Sequence, residues 1–484
     1  METATPESVG LSSNAISAFL KNLSDSRFNM HSVLILRHGK FVAEAYREPY
    51  DRDRKHRMFS VSKTFTAMAA GLLIDEGKLS LDDKVVSFFP EYSPEPVNPL
   101  LASATIYDML TMQDPHDHTT HNFGIKENWL ESWFLAPPDH PPGTVFQYNT
   151  TSTNLIAAIV ERITGQKMMD YMYPRLLAPL GFSEGCICGE TPDGDSFGGS
   201  AVQCTPMDVA KLAQFVMDDG LHEGKQLICA DFIRDLRSKK VDNSLMGIPA
   251  EGMFGYGYFT WHLRNGGFAF FGIHGQFAVG FPETGLLVVT TGNTTDNYAN
   301  ENDILLSQFL DRVIYFLYPN LSNDPLPEDE VAQTTLKPLL NLPHMLVSGT
   351  ASSPLAAGVA GKVYRLHPNK SGWKNVCFDF SEKTGKISYS NRRGNKELIF
   401  GLGHAIPFEF PDKAVRPGTE DLPHDTYTNG AWIDERTLGV SVYDISAGFM
   451  HLNAVFKGDE VTILICPLTG YRGDYGGYMY GKHD

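Results

Sequence analysis

The run that begins at Val61 constrains this chain more than any other stretch. Val61, Phe65, Met68, Ala69, Leu72 and Leu73 recur at the three- and four-residue spacing of one helical face. That spacing predicts a buried helix, with Gly77 as its stop. At its mouth stand Phe59-Ser60-Val61-Ser62-Lys63-Thr64, so Ser60 and Lys63 are neighbours on one face. A serine hydroxyl is a poor nucleophile until a base stands within hydrogen-bond reach. A lysine serves as that base only where burial or a nearby positive field depresses its pKa. The positive end of the helix dipole and an apolar surround both act in that direction. Ser60 is therefore the candidate nucleophile and Lys63 its candidate base. Ser-x-x-Lys is a common tetrapeptide; its weight here comes from its place at the helix mouth and from two segments further on.

A chain of 484 residues with ordinary apolar and charged shares has room for two or three domains with sizeable cores. Its formal net charge of −17 argues against a nucleic-acid binder, which needs basic patches. No apolar run reaches membrane-spanning length, and residues 1–15 lack the basic start and apolar core of a signal peptide. Cys186, Cys188, Cys204, Cys229, Cys377 and Cys466 are few for a disulfide framework. Cys186-x-Cys188 has no second pair or histidine at zinc-finger spacing. The expectation is a cytoplasmic protein with reduced thiols and with no nucleic-acid, membrane, metal or cofactor partner.

In chain order, Ile16, Phe19, Leu20 and Leu23 mark a first helix over 11–23. Val33–Leu36 and Phe41–Tyr46 flank Arg37-His38-Gly39-Lys40 and read as a hairpin. A helix, antiparallel strands and then the Ser60 helix predict an α/β sandwich, not a parallel doubly wound sheet. Residues 85–104, with several prolines, read as loop, and Thr105–Met112 as a short helix. His116, His118 and His121 crowd one segment and raise a metal hypothesis. They read instead as a polar loop at a pocket rim, because a catalytic metal wants ligands on rigid elements with a supporting shell.

The second chemical segment is Pro142-Gly143-Thr144-Val145-Phe146-Gln147-Tyr148-Asn149-Thr150, a turn leading into an apolar helix that ends near Gly165. A tyrosine at a helix start and close to a lysine gives up its proton more easily and can shuttle it to a leaving group. Asp193–Pro206 is a loop containing Gly and Ser, and the helix over Met207–Met217 and the segment Leu227–Leu236 read as structural. The third segment is a strand meander over Tyr256–His262, Phe268–Ile273, Phe277–Phe281 and Leu286–Thr291. His274-Gly275-Gln276 interrupts it at a strand edge, where glycine lets a ligand approach the backbone.

With Ser60-Val61-Ser62-Lys63, Tyr148-Asn149-Thr150 and Ile273-His274-Gly275 in this order, residues 7–318 resemble the serine β-lactamase and penicillin-binding-protein-like superfamily. The likeness is in particular to its class C β-lactamase-related branch of family VIII esterases, D-aminopeptidases and aminohexanoate-oligomer hydrolases. The resemblance implies an antiparallel sheet flanked by helices, with an all-helical subdomain. It implies that Ser60 is acylated, that Lys63 and Tyr148 share the acid–base work, and that the N–H groups of Ser60 and Gln276 form the oxyanion hole. Asn149, Thr150, His274 and Gly275 are the implied substrate-binding positions. Two departures stand out. The family's Tyr-x-Asn has Thr150 in third place, and Lys-Thr-Gly is replaced by Ile273-His274-Gly275. The cation that meets a β-lactam carboxylate is thereby lost or reduced to a histidine.

Residues 321–356 hold prolines and acidic clusters and read as a linker with little regular structure. From about Gly361 short strands and turns alternate, which predicts an all-β domain over 357–484, a closed or nearly closed meander similar to a lipocalin-like barrel. The glycine- and tyrosine-rich tail 470–481 reads as a last strand with loose ends. The whole predicts a catalytic domain over 1–320 that hydrolyses a small ester, amide or short peptide through an acyl-enzyme. The alternatives are a D-amino-acid peptidase or amidase, a weak β-lactamase, or a sensor that keeps the fold with little turnover.

Overall fold

The computed structural model describes residues 1–26, 28–92, 96–122, 128–246, 254–294, 302–342, 346–411, 426–444, 448–466 and 475–483. The chain divides into two compact units, Met1–Pro343 and His344–Asp484.

The first unit begins with helix α1 (Ser13–Asp25), capped by the Ser12 hydroxyl. Strands β1 (Met30–Arg37) and β2 (Lys40–Arg47) form the expected hairpin. Its two turn residues, His38 and Gly39, have φ of 50° and 73°, the left-handed pair that matches strand twist. The remaining strands of this sheet are β3 (Trp261–His262), β4 (Phe268–Gly272), β5 (Gln276–Phe281), β6 (Leu286–Gly292) and β7 (Asn341–Leu342). They lie in the order β7-β2-β1-β6-β5-β4-β3, antiparallel except where β7 joins β2. The stretch before β3 is not strand as its pattern predicted. Phe259 turns to φ 49° and donates its N–H to Leu110 O, which breaks the ladder.

Alternation on β5 explains why helices cover both faces of the sheet. Phe277 stacks at 4.8 Å on Phe309 of α5 (Asn302–Arg312), which in turn meets Phe19 of α1. Gly280, on the opposite face, lies against Met217 of α4 (Pro206–Met217). Between these strands the chain builds a helical group around α2 (Ser62–Asp75), which packs on α3 (Thr150–Thr164). Every residue from Ser62 to Leu73 is buried, so α2 is enclosed on all sides and not along one face alone. Its polar members are satisfied inside: Val202 N–H donates to Ser62 Oγ, and Thr66 Oγ1 donates to Gly198 O. Gly77 stops the helix as expected, at φ 66°, with Lys78 N–H returning to Leu73 O.

Residues 321–342 are not the irregular linker that their prolines suggested. Asp329 caps a helix, α6 (Glu330–Leu336), which packs on α1, and β7 then extends the edge of the sheet. The cap side chain satisfies an N–H of the first turn, and Ala332 and Leu336 supply the buried face.

The second unit is a meander of β8 (Val363–Leu366), β9 (Asn375–Phe380), β10 (Thr384–Asn391), β11 (Gly394–Leu402), β12 (Thr426–Trp432), β13 (Thr437–Asp444), β14 (Gly448–Lys457), β15 (Glu460–Cys466) and β16 (Gly477–His483). Consecutive strands pair, β16 returns to β8, and β11 meets β12 in parallel through Gly401↔Asn429 and Leu402↔Gly430. A two-residue strand, Ile406–Pro407, pairs with β12 and reverses the chain between them. The described strands thus close into a barrel. Tyr364, Phe378, Phe400, Trp432 and Phe456 fill its interior, which is a packed core. β12 was not predicted, because Asn429-Gly430 in its middle reads as a turn. Of the glycine-rich tail, 475–481 are described and 470–474 lie outside the described residues.

Each of the six cysteines is free. Among the described residues no helix is long and apolar enough to cross a membrane.

Gly430 is glycine because a Cβ there would stand 2.6 Å from the Phe400 ring and 2.9 Å from Gly439 O. Gly430→Ala is expected to destabilise the barrel by about 1–3 kcal/mol, the usual cost of overpacking, read as a lower midpoint in urea unfolding.

Candidate active site

Ser60 sits in a single 3₁₀ turn, Phe59–Val61, that runs directly into α2. In 3₁₀ geometry residues three apart eclipse one another, and Lys63 Nζ lies 3.2 Å from Ser60 Oγ. The amine is buried and donates to Gly199 O at 2.7 Å. Burial lowers its pKa from the usual lysine range to about 7. Phe59, just before the serine, has a left-handed φ of 46°, a conformation that costs energy for a non-glycine residue. Its ring is held between the Arg57 guanidinium, 4.6 Å from the ring centre, and the edge of His274 at 4.9 Å.

The partner of Lys63 was not foreseen. Gly199 lies in the loop that the sequence marked only as containing Gly and Ser, and each residue around it is tied down. Ser196 N–H donates to Glu161 and Gly199 N–H to Asn154. Arg57 donates to both the carbonyl and the hydroxyl of Ser200. A Cβ on Gly198 would fall 2.4 Å from Thr66 Oγ1, and one on Gly199 2.5 Å from the Thr150 methyl. The paired glycines were the available signal: they let this backbone approach α2 and α3 closely enough for a carbonyl to meet the amine.

Tyr148 comes to the same place. Its ring centre is 5.0 Å from Lys63 Nζ, a cation–π distance. The ring also stacks on Trp261 at 5.7 Å and meets Tyr256 edge-on. Burial, with Tyr148 beside it, pushes the Tyr256 phenol well above the usual tyrosine range. Asn149, expected to bind substrate, is instead fully buried, and its Oδ1 caps α3 by accepting Thr151 N–H at 2.8 Å. Its side chain holds the helix start and, through it, the backbone next to Tyr148. Thr150 is half-buried; its methyl faces Gly199 and its N–H donates to Thr119 Oγ1.

The third segment also departs from expectation. Ile273, His274 and Gly275 form a three-residue turn that closes the pair Gly272↔Gln276 between β4 and β5. Gly275 O accepts from Thr290 Oγ1 on β6. A trans peptide sets its N–H opposite its carbonyl, so the Gln276 N–H points at β4, on the ladder side of the strand. By the same geometry Gly272 O faces β5, and the Ile273 N–H of that peptide faces away from it. At this end β4 is pressed against the Ser60 segment: a Cβ on Gly272 would stand 2.4 Å from Met58 O. Ile273, not Gln276, thus offers the outward N–H. His274 is buried with φ 71°, packed on Phe59, so it does not stand in for the missing lysine as an open cation. Gly275 adopts φ 96° beside Met30 and serves the turn.

The three histidines part company. His116 is buried in a network with Asp114, which also accepts from Trp133 and Ser152. Burial pulls its pKa down, but the Asp114 hydrogen bond and charge outweigh that and raise it. It is a structural tie and not part of a pocket rim. His121 stacks on Trp129 at 4.1 Å and shares a hydrogen bond with Thr151. Burial and then the Lys63 charge lower its pKa to about 4. His118, with Asp117 and Asp139, forms a group whose donor atoms lie within 4.8 Å of one another. Both carboxylates are exposed, and His118 is already bonded to Asp117.

A family model described as beta-lactamase matches residues 16–310. The 6-aminohexanoate-dimer hydrolase of Paenarthrobacter ureafaciens is 26% identical over 289 residues, 54% of this chain and 72% of that protein. Esterase EstB of Burkholderia gladioli is 27% identical over 212 residues, 38% of this chain and 52% of its own length. Among solved structures, EstCE1, described as a hydrolase with promiscuous acyltransferase activity, matches with a TM-score of 0.51 at 19% identity. That match covers 62% of this chain and 99% of the other, and it is a likeness of fold.

A lysine whose folded pKa lies below its unfolded value, about 10.4, binds its proton more weakly when folded. Its burial therefore costs stability at low pH, and the cost fades as pH rises from about 7 towards the unfolded value. Lys63→Met is expected to raise the melting temperature at pH 6 and to lose most of that gain by pH 9.5, measured by thermal unfolding at both pH values.

Proposed function

The chain belongs to the beta-lactamase family of serine hydrolases, and on that premise we propose that it cleaves small carboxylic esters and amides through an acyl-enzyme on Ser60. The observation that carries this reading is the buried Lys63 amine, 3.2 Å from the Ser60 hydroxyl and held near pKa 7. Near neutral pH a large share of such an amine is uncharged and free to accept a proton. As Ser60 Oγ attacks the substrate carbonyl, its proton passes to Lys63. The oxyanion that forms is met by the N–H groups of Ser60 and Ile273. Lys63 and Tyr148 return a proton to the departing alcohol or amine, and water then hydrolyses the acyl-serine with the same groups acting in reverse.

The chemistry of the third segment and the names of the relatives support a substrate class. Ile273 stands where β-lactamases carry a lysine, and His274 is buried, so no open cation there meets a β-lactam carboxylate. A missing charge-assisted hydrogen bond is worth roughly 1.5–3 kcal/mol, about one to two powers of ten in specificity. The two relatives named above are by their names a 6-aminohexanoate-dimer hydrolase and an esterase, which supports small linear esters and amides as substrates.

Ser60→Ala is expected to lower p-nitrophenyl butyrate hydrolysis by several powers of ten with little change in melting temperature; more than about a tenth of wild-type turnover would remove Ser60 as nucleophile.

Because the neutral amine is the base, kcat/KM should rise as pH passes upward through about 7 and then level off. A profile that is flat between pH 5 and 8 contradicts Lys63 as that base. At pH 7.5 the kcat/KM for p-nitrophenyl butyrate should exceed that for nitrocefin, and the reverse order would restore β-lactam hydrolysis as the main activity.

A further inference from the structure

Gln276 does more than supply one rung of a ladder. Its side chain is buried and its amide makes three hydrogen bonds. Nε2 donates to Gly292 O at 2.8 Å and to Ile273 O at 3.2 Å, while Oε1 accepts from Gly292 N–H at 3.1 Å. The two bonds to Gly292 reproduce, with a side chain, the pair that an antiparallel strand residue would exchange at the end of β6. The third reaches back over the turn. The Gln276 main chain pairs with Gly272, so both carbonyls that flank Ile273 end on this one residue. Thr294 N–H on His274 O and Thr290 Oγ1 on Gly275 O, each at 2.9 Å, fix the remaining peptides of the turn. With its peptide planes held from the β5–β6 side, the Ile273 N–H has one direction left, away from β5.

We infer that the Gln276 side chain is a positioning residue, which holds the Ile273 N–H in the direction that binds the oxyanion and does not touch the substrate. The inference rests on the Ser60 hydrolase reading and names a further residue that its rate depends on. A flexible turn would leave this N–H to reorient during the reaction, and preorganised donors owe their strength to not having to do so. The effect therefore belongs to turnover and not to substrate binding.

The test compares three variants on p-nitrophenyl butyrate and on a fluorophosphonate probe, whose tetrahedral adduct carries an oxygen in the oxyanion position. Gln276→Met keeps the length of the side chain and removes all three bonds. It is expected to lower kcat and the rate of probe labelling together by about ten- to a hundredfold, with KM within about threefold of wild type. Thr291→Val is the structural control: it deletes another buried hydroxyl from β6, one bonded to Ser32, and should lower the melting temperature with kcat near wild type. Gln276→Glu carries the test within one folded protein. Its carboxylate repels Gly292 O and Ile273 O, whereas the protonated acid donates again, so its turnover relative to wild type should rise as pH falls from 8 to 5.5. Wild-type kcat in Gln276→Met overturns the inference. So does an equal loss of kcat in Thr291→Val, or a Gln276→Glu ratio that does not rise on acidification. If Ser60→Ala itself keeps its activity and labelling, the hydrolase reading has failed and not this one alone.

Discussion

A desolvated amine governs the architecture of the first unit. Removing a charged ammonium from water is expensive, and a lysine in that position sheds its proton instead. Among the described residues no carboxylate is bonded to Lys63; its hydrogen bonds go to a hydroxyl and a carbonyl. An aspartate in place of the Gly199 carbonyl would hold the amine charged and useless as a base. The enclosure of α2, the close approach of Gly198 and Gly199, and the aromatic wall of Tyr148, Trp261 and Tyr256 all keep water from the same nitrogen. The apolar helix and the desolvated lysine are two sides of one requirement.

That link explains what could be read in the chain and what could not. Ser60 and Lys63 were legible because their spacing and the apolar run behind them are local properties. Tyr148 was legible as a turn followed by a helix. Gly199 was not, since a backbone carbonyl has no residue type to announce it, and its partner lies across the helical group. The cap made by Asn149 was not legible, because an asparagine that caps a helix and one that binds substrate look alike until burial is known. The helix at Glu330–Leu336 hid behind prolines that lie on either side of it, and β12 hid behind an Asn-Gly pair at its centre.

The assignment of the oxyanion donor shows a different kind of limit. Gln276 follows the Gly of the third segment and so seemed to offer the next N–H to a ligand. Direction, however, is set by the peptide plane, and that plane is fixed by a threonine hydroxyl on the neighbouring strand. A turn of three residues moves the outward-facing N–H from the second strand of a hairpin to the end of the first. Which of Ile273 and Gln276 turns its N–H away from the ladder thus depends on strand register, a long-range property with no local signature.

The pairing of β1 with β6, in which Val33 faces Thr290, has a consequence for synthesis. A nascent chain leaves the ribosome in order, and the first hairpin must wait for its partner until the helical group and the Ser60 turn have all emerged. During that interval α2 is made with neither sheet nor loop to surround it. Contacts this far apart in sequence close slowly, and an apolar helix that stays exposed meanwhile invites association with other chains. The enclosure that keeps water from one nitrogen in the finished protein therefore makes this segment the part most in need of shelter before folding is complete.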